Sequence, residues 1–200
     1  EVATTRSYYP QDEEVKLIDA DHMFILPGNV SHAGANYLFD KDGELYAMDA
    51  HGYMNHKEFY YTDSSVKHFG GNYFVTKKGQ FHIIKNDGII LNYNGLENGD
   101  DDIRKLSVVG GNYFVTRSGK LYVVQDNGYY VDKSEMMDFN SRDVRYKGNN
   151  YLITKEGLVY TFGTEVMAQL DASGNIIMEN GSPKPLLDAN GNKQFYAVVY

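Results

Sequence analysis

Gly110-Gly111-Asn112-Tyr113-Phe114-Val115-Thr116 is one of four copies of the same short pattern. The others are Gly34-Ala35-Asn36-Tyr37-Leu38-Phe39, Gly70-Gly71-Asn72-Tyr73-Phe74-Val75-Thr76 and Gly148-Asn149-Asn150-Tyr151-Leu152-Ile153-Thr154. Their tyrosines stand at 37, 73, 113 and 151, so the spacings are 36, 40 and 38 residues. A period in that range marks a repeat architecture, in which each copy is one supersecondary unit stacked on its neighbours.

Each copy continues on the same plan. Six residues after its tyrosine comes a glycine, at 43, 79, 119 and 157. Glycine tolerates the positive φ that a tight hairpin demands. A second strand follows with an apolar or aromatic pair: Leu45-Tyr46, Phe81-His82, Leu121-Tyr122 and Val159-Tyr160. Three copies then reach another turn glycine, at 52, 88 and 128, whereas Gly163 arrives early in the fourth. A third run follows, and a fourth leads into the next copy. Four short strands per about 40 residues is the unit of a propeller blade. The units read as 36–71, 72–111 and 112–149.

The ends hold incomplete sets of strands. Residues 1–14 read as an irregular lead-in, and residues 15–26 as a strand pair in which His22-Met23-Phe24 stands where Asn112-Tyr113-Phe114 does. After Tyr160, two similar turns (Asp171 to Asn175 and Asp188 to Asn192) precede short apolar runs. The economical solution is one composite blade shared by the two ends, which removes exposed strand edges. The expected fold is therefore all-β: a single domain over 15–200, a β-propeller of five blades with a composite closing blade. A four-bladed ring with an added hairpin is the alternative.

Composition narrows the partners. A chain of 200 residues that is 42% hydrophobic can bury a core. A net charge of −8 argues against nucleic acid and against an anionic membrane surface. No apolar run approaches the roughly 20 residues needed to cross a bilayer. Cysteine is absent, which removes disulfides, thiolate catalysis and thiolate zinc sites. The sequence begins at Glu1 rather than Met, and a cleaved signal peptide would explain that. A secreted or periplasmic monomer is expected.

The stretch from Tyr151 to Gly163 resembles a repeat of the regulator-of-chromosome-condensation type, with an apolar strand, a glycine turn and an aromatic-glycine ending. The short period is similar to that of tachylectin-like five-bladed propellers, which bind sugars between blades. Those lectins rely on tryptophan, which this chain lacks. The resemblance spans about residues 30–163 and implies propeller architecture; it carries over no functional residue.

Candidate binding residues come from the repeat itself. Asn36, Asn72, Asn112 and Asn150 hold equivalent places, and amides could meet sugar hydroxyls or a peptide backbone. The same side chain could instead fix the turn by bonding nearby backbone. Tyr46, His82, Tyr122 and Tyr160 could form a stacking surface, or fill the space between blades. Asp40-Lys41-Asp42-Gly43 hints at a calcium loop but lacks the further carboxylates such a loop uses, and reads as a polar hairpin turn. The acidic run from Asn98 to Asp102 reads as a solvated loop. The six histidines show no helical zinc spacing, and neither a Gly-x-Ser-x-Gly elbow nor a phosphate loop occurs. No cofactor, metal or catalytic residue is expected. The function that follows is a non-enzymatic binding module that presents a propeller face to a protein or glycan. The alternative is a propeller hydrolase or lyase with a metal or histidine at the central channel.

Overall fold

The computed structural model describes residues 27–58, 65–97, 101–191 and 193–199. The expected lead-in (1–14) and the expected strand pair (15–26) lie outside them. Every regular element longer than a single 3₁₀ turn among the described residues is a β-strand. The strands form four antiparallel four-stranded sheets. The first contains β1 (Val30–Ala33), β2 (Tyr37–Asp40), β3 (Leu45–Met48) and β4 (Met54–Lys57). The second contains β5 (Val66–Phe69), β6 (Tyr73–Thr76), β7 (Phe81–Ile84) and β8 (Ile90–Tyr93). The third contains β9 (Leu106–Val109), β10 (Tyr113–Thr116), β11 (Leu121–Val124) and β12 (Tyr130–Asp132).

The fourth sheet departs from this simple meander. It has β13 (Val144–Lys147), β14 (Tyr151–Thr154) and a long β15 (Val159–Val166). Its outer strand is β18 (Phe195–Val199), paired from Phe162↔Val199 to Val166↔Phe195. Between β15 and β18 runs an arm carrying the small hairpin β16 (Met178–Glu179) and β17 (Ser182–Pro183). The C-terminal strand thus completes the fourth sheet. The N-terminal strands expected to join it in a composite blade are outside the described residues.

Each sheet begins one strand earlier than the sequence period suggests. The strand before each Asn-Tyr pair bonds to the strand after it, because the intervening residues form a tight turn: Gly34 N donates to Tyr37 O at 2.8 Å, Gly70 N to Tyr73 O at 2.8 Å, Gly110 N to Tyr113 O at 2.9 Å and Gly148 N to Tyr151 O at 2.8 Å. The breaks between sheets fall instead after β4, β8 and β12.

The turn glycines do what their spacing requires. Gly43, Gly79, Gly119 and Gly157 have φ of 86°, 88°, 96° and 88°. Each follows a residue whose side chain holds the turn together. The Asp40 Oδ1 accepts from Asp42 N and Glu44 N, and Thr76, Thr116 and Thr154 Oγ1 accept from the backbone N of Gln80, Lys120 and Leu158. These are β-turns followed by a left-handed glycine, the usual chemistry of short hairpin loops.

The chain divides into two compact units, residues 1–104 with 126–128, and residues 105–125 with 129–200. In the first, the tyrosine-bearing face of the first sheet (Tyr37, Phe39, Leu45, Ala47) packs on the opposite face of the second (Val66, Phe74, Ile84, with Phe69 and Ile90). In the second unit the same faces meet: Val108, Tyr113, Val115, Leu121 and Val123 pack on Leu152, Phe162 and Val199. Strand alternation sorts these residues, since side chains i and i+2 share a face. Burying each large apolar side chain contributes about 1.5–3 kcal/mol, and these layers supply both cores.

Candidate functional site

The repeated signature is first a device for joining one sheet to the next. The glycine is needed because the tyrosine ring three residues on lies against it. A Cβ on Gly34, Gly70, Gly110 or Gly148 would sit 2.2 Å from that ring. The tyrosine hydroxyl then reaches the following sheet. Tyr37 Oη donates to the carbonyls of Gly70 and Tyr73 at 2.8 and 3.0 Å, and Tyr113 Oη to Tyr151 O at 2.6 Å. Burial pushes both phenols well above their ordinary range, so they stay protonated donors. The turns themselves also bond: Ala35 N donates to Gly71 O at 2.6 Å, and Asn112 N to Asn149 O at 2.9 Å.

The asparagines serve the same joint. Asn36 Nδ2 donates to Ile84 O at 3.0 Å and Lys85 O at 3.3 Å, both at the end of the third strand of the next sheet. Asn112 Nδ2 donates to Phe162 O at 3.1 Å in the corresponding place. Asn72 is 6% exposed, whereas Asn150 is exposed. The structure thus places these four residues at equivalent turns and uses at least two of them for assembly.

The second-strand aromatics divide. His82 and Tyr122 are buried. The His82 ring stacks on Phe74 at 4.8 Å, and its Nδ1 donates to Asn92 Oδ1 at 2.5 Å; Tyr122 stacks on Phe114 at 5.2 Å. Both fill interior space, so neither offers its ring to a ligand. Tyr46 is half-buried beside His56, ring centroids 5.4 Å apart, and the His56 Nε2 lies 2.5 Å from Glu44 Oε2. Tyr160, also half-buried, donates its hydroxyl to Asp138. Asp40 is engaged by its own hairpin, in line with a polar turn. Of the acidic run, 98–100 lie outside the described residues, and Asp102 pairs with Arg104 through two bonds of 2.9 and 3.0 Å. Among the described residues no group of three or more His, Asp or Glu is placed to hold a metal ion. No helix among them is long and apolar enough to cross a membrane.

A surface that the repeat pattern did not single out stands out on the fourth sheet. Its tyrosine-bearing face carries Tyr151, Ile153 and Val159, with Tyr146 on the adjoining strand. The counterparts of Tyr151 are Tyr37, Tyr73 and Tyr113, exposed by at most 1%. Tyr151 is 41% exposed. The counterparts of Val159 are Leu45, Phe81 and Leu121, all wholly buried, yet Val159 is 56% exposed. Tyr146 (58%) and Leu158 are exposed too, and the Arg145 guanidinium lies 5.7 Å from the Tyr146 ring centroid. A sequence signal for this face exists. The β13 strand reads Val-Arg-Tyr-Lys where β9 reads Leu-Ser-Val-Val, and Asn149 replaces the second turn glycine. Comparison with family models, with curated proteins and with solved structures returns no match for the chain.

Proposed function

We propose that the four sheets are blades of a β-propeller and that the chain is a non-enzymatic binding module. Its docking surface is the tyrosine-bearing face of the fourth sheet. One observation carries this reading: the positions of Tyr151 and Val159, buried in the first three sheets, are open in the fourth although both stay apolar or aromatic. Contiguous exposed apolar patches on folded proteins mark interaction sites. The five blades read from the period require one sheet beyond the four described, and this face is where a further sheet would pack. An apolar face with Arg145 beside the Tyr146 ring suits a protein partner better than a glycan.

The test exploits the absence of cysteine. A Val159→Cys variant introduces one thiol on this face, and Leu121→Cys introduces one at the buried counterpart. Rapid labelling of the first in native dilute protein and slow labelling of the second is the expected result. Equal protection of both would remove the surface from consideration, as would protein or glycan binding that survives Tyr151→Ser and Val159→Asp unchanged.

A further inference from the structure

Independently of the docking face, which lies in the second unit, we infer that the joint between the first two sheets is an acid-sensitive latch: protonation of His32 and His82 opens the first unit while the second stays closed. All six histidines of the chain, at 22, 32, 51, 56, 68 and 82, precede residue 105, so the second unit contains none. Two of them are built into the joint. His32, on β1, pairs with Phe39, and its ring stacks on Phe69 of the second sheet with centroids 3.9 Å apart. His82, 4% exposed, pairs with Phe74 and shares the face that packs on the first sheet. Its Nδ1 donates to Asn92 Oδ1.

The second unit builds the corresponding joint without imidazoles. Val108 pairs with Val115 where His32 pairs with Phe39, and Tyr160 pairs with Leu152 where His82 pairs with Phe74. Valine does not titrate, and a phenol does so only in alkali. Between about pH 7.5 and about 5.5 the second joint therefore keeps its charge, while the first takes up protons between two apolar layers. A buried charge is costly unless it is paired.

The groups around the two rings do not offer that pairing. Lys57, opposite Leu45, is on the inner face of the first sheet, and a cation there disfavours protonation further. Tyr37, on the same face, is held protonated by burial. Asp49 stands at the end of that face, where Asn55 Nδ2, His51 N and Tyr53 N already donate to it. Lys85 and Asp87 pair with each other at the turn after Ile84, and Lys67, at the bulge of β5, is exposed. His56, beside Glu44, and His68, beside Arg104 O, lie on the faces turned away from the joint. Burial holds His32 and His82 below the ordinary 6.5, opposed for His82 by the Asn92 bond. The folded joint thus stays neutral where the unfolded chain is already protonated. Stability that is complete above about 6.5 is lost as pH falls toward the folded-state values.

Thiol labelling tests this, since the chain has no cysteine of its own. Ala47 and Val123 hold equivalent, wholly buried positions on the two joints. Ala47→Cys and Val123→Cys are labelled with dithiodipyridine, which reacts with thiols in acid, and each rate is divided by that of the unfolded variant at the same pH. From about pH 7.5 to about 5.5 the Ala47→Cys ratio should rise by about tenfold or more and the Val123→Cys ratio by less than about twofold. Adding His32→Val and His82→Tyr, the residue types of the second unit, should abolish the rise. Should that variant fail to fold, Val108→His with Tyr160→His should confer the same acid labelling on Val123→Cys. An Ala47→Cys ratio that does not change with pH overturns the inference, as do two ratios that rise together. A rise that survives loss of both imidazoles, or one that their transfer to the second unit fails to create, overturns it as well.

Discussion

Gly70 and Tyr73 illustrate how much one residue position can require. The ring of Tyr73 occupies the space where a side chain at 70 would begin. Gly70→Ala should therefore cost about 2–3 kcal/mol through overpacking, whereas Gly28→Ala, with nothing within 4 Å, should be near neutral; thermal or urea melts compare the two. Tyr37→Phe leaves the buried Gly70 carbonyl short of its donor and should cost about 1–3 kcal/mol. Tyr151→Phe, at the exposed copy of the same position, should leave the monomer's melting point unchanged. The histidines add a pH dependence. Burial lowers the pKa of His82 and His32 below the ordinary 6.5. The unfolded chain then takes up protons first as pH falls, so stability is complete above about 6.5 and declines toward the lower folded-state values. Melting temperature should drop between pH 7.5 and 5, and His82→Gln should flatten that slope.

Among the elements, the hairpins were legible and the sheet boundaries were not. Gly43, Gly79, Gly119 and Gly157 announce their turns because a left-handed residue leaves a compositional mark. The turn ending at Asn72 leaves a similar mark whether it opens a sheet or joins two of its strands, and only the backbone bond from Gly70 to Tyr73 decides. Past Tyr160 the repeat is hard to follow in the sequence, because the turn glycine of the fourth copy, Gly163, arrives early. The chain stays in the sheet through the extended β15 to Val166, then leaves it and returns as β18. The asparagines were legible as equivalents, but their role depends on carbonyls about 50 residues away, which no local pattern displays. The open fourth face left only a faint trace, because Tyr151 and Val159 match buried copies and only β13 and Asn149 depart from them. The arm is separable from the sheet. Val166 and Phe195 are directly paired, so replacing residues 167–194 by Asn-Gly should leave a two-residue hairpin and a melting point within a few degrees of wild type. Deleting residues 193–200 removes β18 and uncovers Phe162, and the second unit should then lose most of its stability.

For the molecule as a whole, charge governs behaviour in solution more than fold. The isoelectric point is about 5.2, so self-repulsion vanishes in the range where the buried histidines begin to oppose folding. Solubility should be lowest near that pH and rise on either side, and turbidity across a pH series reads it directly. Within each unit, two sheets share a core, and every joint combines an apolar layer with a few bonds at one end of the sheets. That division lets stability reside in the layers while the turns set register.

The detour between β15 and β18 also fixes an order of events. Most strand pairings in the other three sheets close short loops, such as the five residues 49–53 between β3 and β4, but this pairing must wait for 28 residues to find their course. Closing that loop costs about 1.5 kcal/mol more in chain entropy than closing five residues. The fourth sheet should therefore be the slowest to finish, and until β18 arrives the edge of β15 stands unpaired as a template for other strands. Refolding yield will then depend on how fast that one strand comes home relative to how often two unfinished chains meet.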